Sequence, residues 1–190
     1  MTPEHVSQRR RWTTLIGIAA ATAALALPAA PANASGGGGV SAGGGGGTSG
    51  KQARLRDGKA IAPRSAPRKV KRAIRAGNEI AGKPYKYGGG HGSWNDSGYD
   101  CSGAVSYVLG RPGAKVLRRP TTSGGFERWG KARRGKWMTV FANNGHVFIK
   151  IAGLRFDTSQ TGDGDGPDWS RNVRAGMVNG PFKRRHWGNL

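Results

Sequence analysis

Between residues 36 and 50 the chain carries ten glycines, with only Val40, Ser41, Ala42, Thr48 and Ser49 among them. Such a stretch buries too little apolar surface to offset the entropy of ordering it, so no core runs through it. Whatever folds must fold on one side or the other. The N-terminal side does not look like a domain. Arg9, Arg10 and Arg11 precede an uncharged apolar stretch, Leu15 to Leu27, and Ala32-Asn33-Ala34 follows. A basic start, a short apolar run and a small-residue site are the three parts of a secretory signal, which predicts cleavage after Ala34. The apolar run falls short of the ~20 residues a membrane-spanning helix takes, so no stable anchor is expected after cleavage. The expected organisation is 1–34 as signal peptide, 35–69 as a disordered linker and basic arm, and 70–190 as the folded domain of a secreted monomer.

Charge narrows the partners. The chain has 31 Lys+Arg against 10 Asp+Glu, a net of +21, and removal of residues 1–34 would lower this by only two. A balance of this size favours anionic surroundings without naming the anion. Lys51, Arg54, Arg56, Lys59, Arg64, Arg68 and Lys69 face a single acid, Asp57, in the basic arm. Two readings of the arm stay open, a solvated tail and an electrostatic tether to a polyanion such as a cell-wall polymer or nucleic acid. Nucleic acid is not expected as a partner, since export takes the chain away from it and no reader motif is present. One cysteine excludes a disulfide framework and a Cys-rich zinc site. Asp163-Gly-Asp165-Gly-Pro-Asp168 departs from calcium-loop spacing and lacks the closing Glu, so it reads as a polar turn. No metal or cofactor is expected.

Periodicity places the elements. Val70, Ala73, Ile74, Gly77 and Ala81 fall at helical spacing, and Gly82 and Pro84 end that helix. Cys101, Ala104, Val105, Val108 and Leu109 repeat the pattern, with Asp100 where an N-cap belongs. Trp137–Phe141, His146–Ile151 and Leu154–Asp157 read as strands, with Ala152-Gly153 as a two-residue turn. Two helices followed by an antiparallel sheet predict an α+β domain.

Cys101 needs a reason. A buried inert thiol is one. Against it stand the expected export, where an idle thiol is a liability, and a place in the first helical turn, where free N–H groups favour a thiolate. A thiolate hydrolase also needs a base and a group to orient it. His146 opens a strand. With Ile151 opposite Leu154, Phe148 lies opposite Asp157, and His146 is diagonal to Asp157 on the same face, roughly 7–8 Å away between backbones and within side-chain reach. Ser159 would lie directly opposite His146 and is the alternative orienter. A slip of one residue would move Asp157 to the other face.

These residues also carry a resemblance. Gly82-Lys-Pro-Tyr-Lys-Tyr-Gly-Gly-Gly90, then Asp100-Cys-Ser-Gly103, then Gly145-His146 opening an apolar strand, with Arg185-His186 near the end, resemble the NlpC-type cysteine peptidases of bacterial cell walls. The resemblance runs from about residue 70 to the C-terminus. It implies a papain-like α+β domain with Cys101 as nucleophile, His146 as base, Asp157 as third polar residue and Tyr85 in support. It also implies hydrolysis of amide bonds in peptidoglycan stem peptides by a protein associated with the cell wall. In this family the residue two after the base is often Gly, where this chain has Phe148, and the third residue is commonly His. Two alternatives remain open: an amidase or acyltransferase of the same fold, and an inactive cationic wall-binding protein using the arm, Arg118-Arg119, Lys131 to Lys136 and Lys183 to Arg185.

Overall fold

The computed structural model describes residues 50–159, 166–172 and 181–190. The signal-like segment, the glycine run up to Ser49, and Asp163 and Asp165 lie outside the described residues. Among the described residues, no helix is long and apolar enough to cross a membrane.

The α+β expectation holds. After a short hairpin, β1 (Arg54–Arg56) and β2 (Lys59–Ile61), come helices α1 (Arg68–Ile80), α2 (Cys101–Leu109) and α3 (Ser123–Phe126). The remaining strands are β3 (Lys131–Ala132), β4 (Met138–Ala142), β5 (Val147–Ile151), β6 (Leu154–Asp157), β7 (Asp168–Ser170) and β8 (Lys183–His186). They form one antiparallel sheet in the order β3-β8-β4-β5-β6-β7.

Helix α1 buries Val70, Ala73, Ile74, Ala76, Gly77 and Ile80, the face its periodicity requires. Helix α2 differs from the amphipathic expectation: every residue from Ser102 to Leu109 is buried. It packs against α1 on one side and against β5 and β6 on the other, which leaves it no solvent face. Full burial of Val105, Val108 and Leu109 contributes about 1.5–3 kcal/mol each. Only Cys101, at its N-terminal end, reaches partial exposure. A Cys-bearing helix thus lies on an antiparallel sheet.

The β5–β6 register is the one read from the sequence, with Ile151 opposite Leu154 and Ile149 opposite Phe156. Ala152 (φ 46°) and Gly153 (φ 92°) both take positive φ, which a two-residue turn matching the strand twist demands.

The basic arm is a correction. It is not disordered over 51–69. Arg54–Arg56 and Lys59–Ile61 pair across an Asp57-Gly58 turn with both φ values positive (48° and 71°). The hairpin is tied down at three points. Asn78 on α1 donates to the Ala60 carbonyl and accepts from its N–H, both at 2.9 Å, and the Ala53 N–H reaches the Ala152 carbonyl at 2.7 Å. Its cations Arg54, Arg56 and Lys59 stay exposed while Ala60 is buried. Folded structure among the described residues therefore includes 51–69, ahead of the expected domain boundary at residue 70.

Candidate active site

The N-terminus of α2 is built around Asp100. Its Oδ1 accepts from the Gly103 N–H (2.7 Å) and the Ser102 hydroxyl (3.0 Å), so it caps the helix as its position requires. Its Oδ2 accepts from the Gly88 N–H at 3.0 Å, and His91 Nε2 lies 3.2 Å from Oδ1. One buried carboxylate thus fastens the glycine loop 88–91 to the start of the helix. Gly103 permits this close approach, because a Cβ there would collide with the Gly89 carbonyl. The Asp100-Cys-Ser-Gly103 sequence is in this sense a packing requirement as well as a chemical one.

His146 immediately precedes β5, although the spacing predicts a strand that includes it, and is positioned by the turn before it. Asn143 Oδ1 accepts from the Gly145 N–H (3.0 Å) and the His146 N–H (2.8 Å), and the Asn143 N–H donates to the His146 carbonyl (3.0 Å). The imidazole packs beside Phe148 and Phe182, whose rings lie 6.4 Å from it and 5.3 Å from each other. The Cys101 side chain is near enough to raise its proton affinity. Its Nε2 lies 2.9 Å from Asp157 Oδ1, the diagonal relationship that the hairpin register allows. With Nε2 engaged there, Nδ1 is the ring nitrogen left for the thiol.

Asp157 ends β6, and its side chain is wholly buried. Besides His146, its Oδ1 accepts from the Thr158 N–H at 2.7 Å. Its Oδ2 accepts from Arg155 Nε at 2.7 Å, from Arg155 Nη2, and from the Ser159 hydroxyl at 3.2 Å. Burial alone would raise the carboxyl pKa. The imidazole and the guanidinium reverse this, and Asp157 titrates below the ordinary carboxylate range. For His146, burial pulls the pKa down, but hydrogen bonds to Asp157 and Cys101, with their charges, push it up to about 9. The geometry therefore favours an imidazolium beside the Asp157 carboxylate at neutral pH.

Arg155 escaped the sequence reading. It is 2% exposed, flanked by Leu154 and Phe156 in a strand buried on both faces, so neither alternation nor a charge run marks it. The available signal was an arginine two residues before Asp157 on the same strand face. Its guanidinium also sits 5.4 Å over the Phe148 ring, which stacks on Phe141 at 4.8 Å. Phe148, bulky where the resembling family often has glycine, is thus the floor on which Arg155 rests.

Ser159 lies 3.3 Å from His146 Nε2, near enough to orient it, but Asp157 is nearer. Tyr85 is 42% exposed and lines, with Tyr87, His91, Cys101, Ser123 and Asn144, a cleft of about 370 Å³. Partial burial, then the negative charges of Cys101 and Asp100, raise the Tyr85 pKa. The structure thus brings Cys101, His146, Asp157, Ser159 and Tyr85 to one place. No cluster fit to hold a metal ion occurs among the described residues. The arrangement can hold a nucleophile, pass its proton, and keep the imidazole in one tautomer.

No family model matches the sequence, and no curated protein does. Three mutant forms of the Resuscitation Promoting Factor Interacting protein RipA are similar among solved structures. The form mutated at a glutamate is 26% identical over 63% of this chain and 65% of its own length, with a TM-score of 0.44. The form mutated at a cysteine is 23% identical over 71% of this chain and 72% of its own, also at 0.44. The form mutated at a histidine is 23% identical over 71% of each chain, again at 0.44. This chain thus spans just under two thirds of the first structure.

Proposed function

We propose that the protein is a secreted, cell-wall-associated cysteine peptidase of the NlpC type, cleaving amide bonds in peptidoglycan stem peptides. The single observation that carries the reading is the line from Cys101 through His146 to a buried Asp157. A structural thiol has no use for an imidazole held by a carboxylate that is itself clamped by Arg155. Further support comes from the motif Asp100-Cys-Ser-Gly103 after the glycine loop, and from the charge of +21, which suits an anionic wall.

The chemistry then follows. The Cys101 thiolate attacks the scissile carbonyl carbon, and the carbonyl electrons move to oxygen. The Cys101 backbone N–H, at the first helical position, has no acceptor inside the helix and is free to donate to that oxyanion. As the intermediate collapses the C–N bond breaks, and the His146 imidazolium gives its proton to the leaving amine. A water then attacks the thioester, His146 takes its proton, and the thiolate departs. Asp157 keeps the imidazole oriented throughout. Tyr85, beside Cys101 in the cleft, is placed to contact the substrate.

The test is incubation of the secreted protein, and of its Cys101→Ala variant, with purified peptidoglycan, followed by mass analysis of the soluble products. Release of muropeptides cut within the stem peptide, absent with Cys101→Ala, is the expected result. Wall binding without release in either protein would make it a cationic binder instead.

A further inference from the structure

A second cleft, about 850 Å³, lies beyond the C-terminal end of α2, the end opposite Cys101. Four of its lining residues are exposed cations, Lys69, Arg111, Lys115 and Arg118, and two are tryptophans, Trp129 and Trp187. No acidic side chain lines it. None of the four cations forms an ion pair with a described residue, although this chain pairs lysines where a carboxylate is near, as Lys86 with Asp96 and Lys183 with Glu127 at 2.7 Å. Four like charges gathered around one cleft repel one another and concentrate counter-anions there.

The cleft is built rather than loose. Val116 and Leu117 donate to the Leu109 carbonyl at 2.8 and 3.0 Å, which anchors the loop to the last turn of α2. Lys115 is held at φ 56°, a conformation a lysine adopts only when its surroundings impose it. On the other wall, Trp187 is 43% exposed and stacks on Trp129 at 5.8 Å and 24°, while Trp129 meets the Phe126 edge at 5.9 Å. The outer indole face is therefore a flat, supported platform beside the cations.

We propose that this cleft binds an anionic glycan, one sugar ring lying on Trp187 and the carboxylate or phosphate groups of the chain meeting Lys69, Arg111, Lys115 and Arg118. A membrane surface suits a protruding apolar patch and not a concavity. Single-stranded nucleic acid suits a succession of stacking platforms, whereas Trp187 alone presents an open face here. The preference for a glycan over nucleic acid also rests on the wall-hydrolase reading; the anion-binding character of the cleft does not.

The test measures binding of the full secreted protein to four probes at fixed low salt: polygalacturonate, neutral dextran, inorganic polyphosphate and poly(dT). Polygalacturonate binding is expected, with none to dextran. Trp187→Ala should weaken polygalacturonate by about tenfold, the scale of one lost stacking contact, and Trp187→Phe by less. Polyphosphate affinity should change little in both, while the Arg111→Ala/Arg118→Ala pair weakens both anions. Unaltered melting temperatures guard against misfolding. Equal polygalacturonate binding in Trp187→Ala overturns the proposal. Tighter binding of poly(dT) than of polygalacturonate, with the same dependence on Trp187, overturns it in favour of nucleic acid. None of these variants touches Cys101, so muropeptide release is scored separately: its loss with cleft binding intact refutes only the hydrolase reading.

Discussion

The Asp157 carboxylate spans two positive groups: Oδ1 lies 2.9 Å from His146 Nε2 and Oδ2 lies 2.7 Å from Arg155 Nε. Every direction of this buried group is occupied by a donor. An amide in its place must turn its oxygen to Arg155 and its NH₂ to His146, since both faces demand an acceptor and an amide has one. Asp157→Asn should therefore stay folded but lose turnover, because the imidazole is drawn into the tautomer protonated on the side of Cys101. Product release measured alongside circular dichroism checks this. Full activity in Asp157→Asn with loss in Ser159→Ala would transfer the orienting role to Ser159.

The pH dependence of stability follows from the same pair. His146 is raised from 6.5 to about 9, so its contribution is complete below pH 6.5 and is lost as pH rises through about 9. Asp157 is lowered from 3.8, so its contribution is present above that value and disappears as pH falls through the lower folded one. Denaturant unfolding across a pH series should show the alkaline loss in the native chain and not in His146→Ala.

Arg155→Ala should be among the most costly single changes. Removing one of the two cations on this buried carboxylate leaves its charge only partly compensated, a cost of up to about 3–5 kcal/mol. Arg155→Lys should recover only part, because an ammonium cannot reproduce the forked contact to Asp157 and the reach to the Ser159 carbonyl at 3.0 Å. Denaturant midpoints of the two variants measure the difference.

Gly103→Ala introduces a methyl against the Gly89 carbonyl. Backbone meets backbone there, so relief requires the loop to move away from α2. A loss of about 1–3 kcal/mol is expected, together with slower product release because Cys101 and the loop carrying the cleft wall share this contact.

The parts legible in the sequence are those ruled by local chemistry. Asp100 and the apolar spacing mark α2, and the Ala152-Gly153 turn sets a register that brings His146 diagonal to Asp157. What was missed depends on partners distant in the chain. Lys183–His186 reads as a charge run, yet it is a strand because β3 and β4 lie on either side of it. The hairpin at 54–61 is masked by its cations, although Asp57-Gly58 is a strong turn signal; docking on Asn78 and Ala152 gives it a place to fold. Arg155 is hidden because both faces of β6 are buried, so the usual alternation is missing where it matters.

The central claim is that Cys101 is held as a nucleophile by His146, and the rate of its alkylation by iodoacetamide across pH tests this most directly. The thiolate, not the thiol, reacts. The account predicts ready modification already at pH 6 in the native protein, and a rate lower by about tenfold or more at that pH in His146→Ala, where the cation is gone. Slow modification at pH 6, rising only under alkaline conditions and identical in the two proteins, would contradict it.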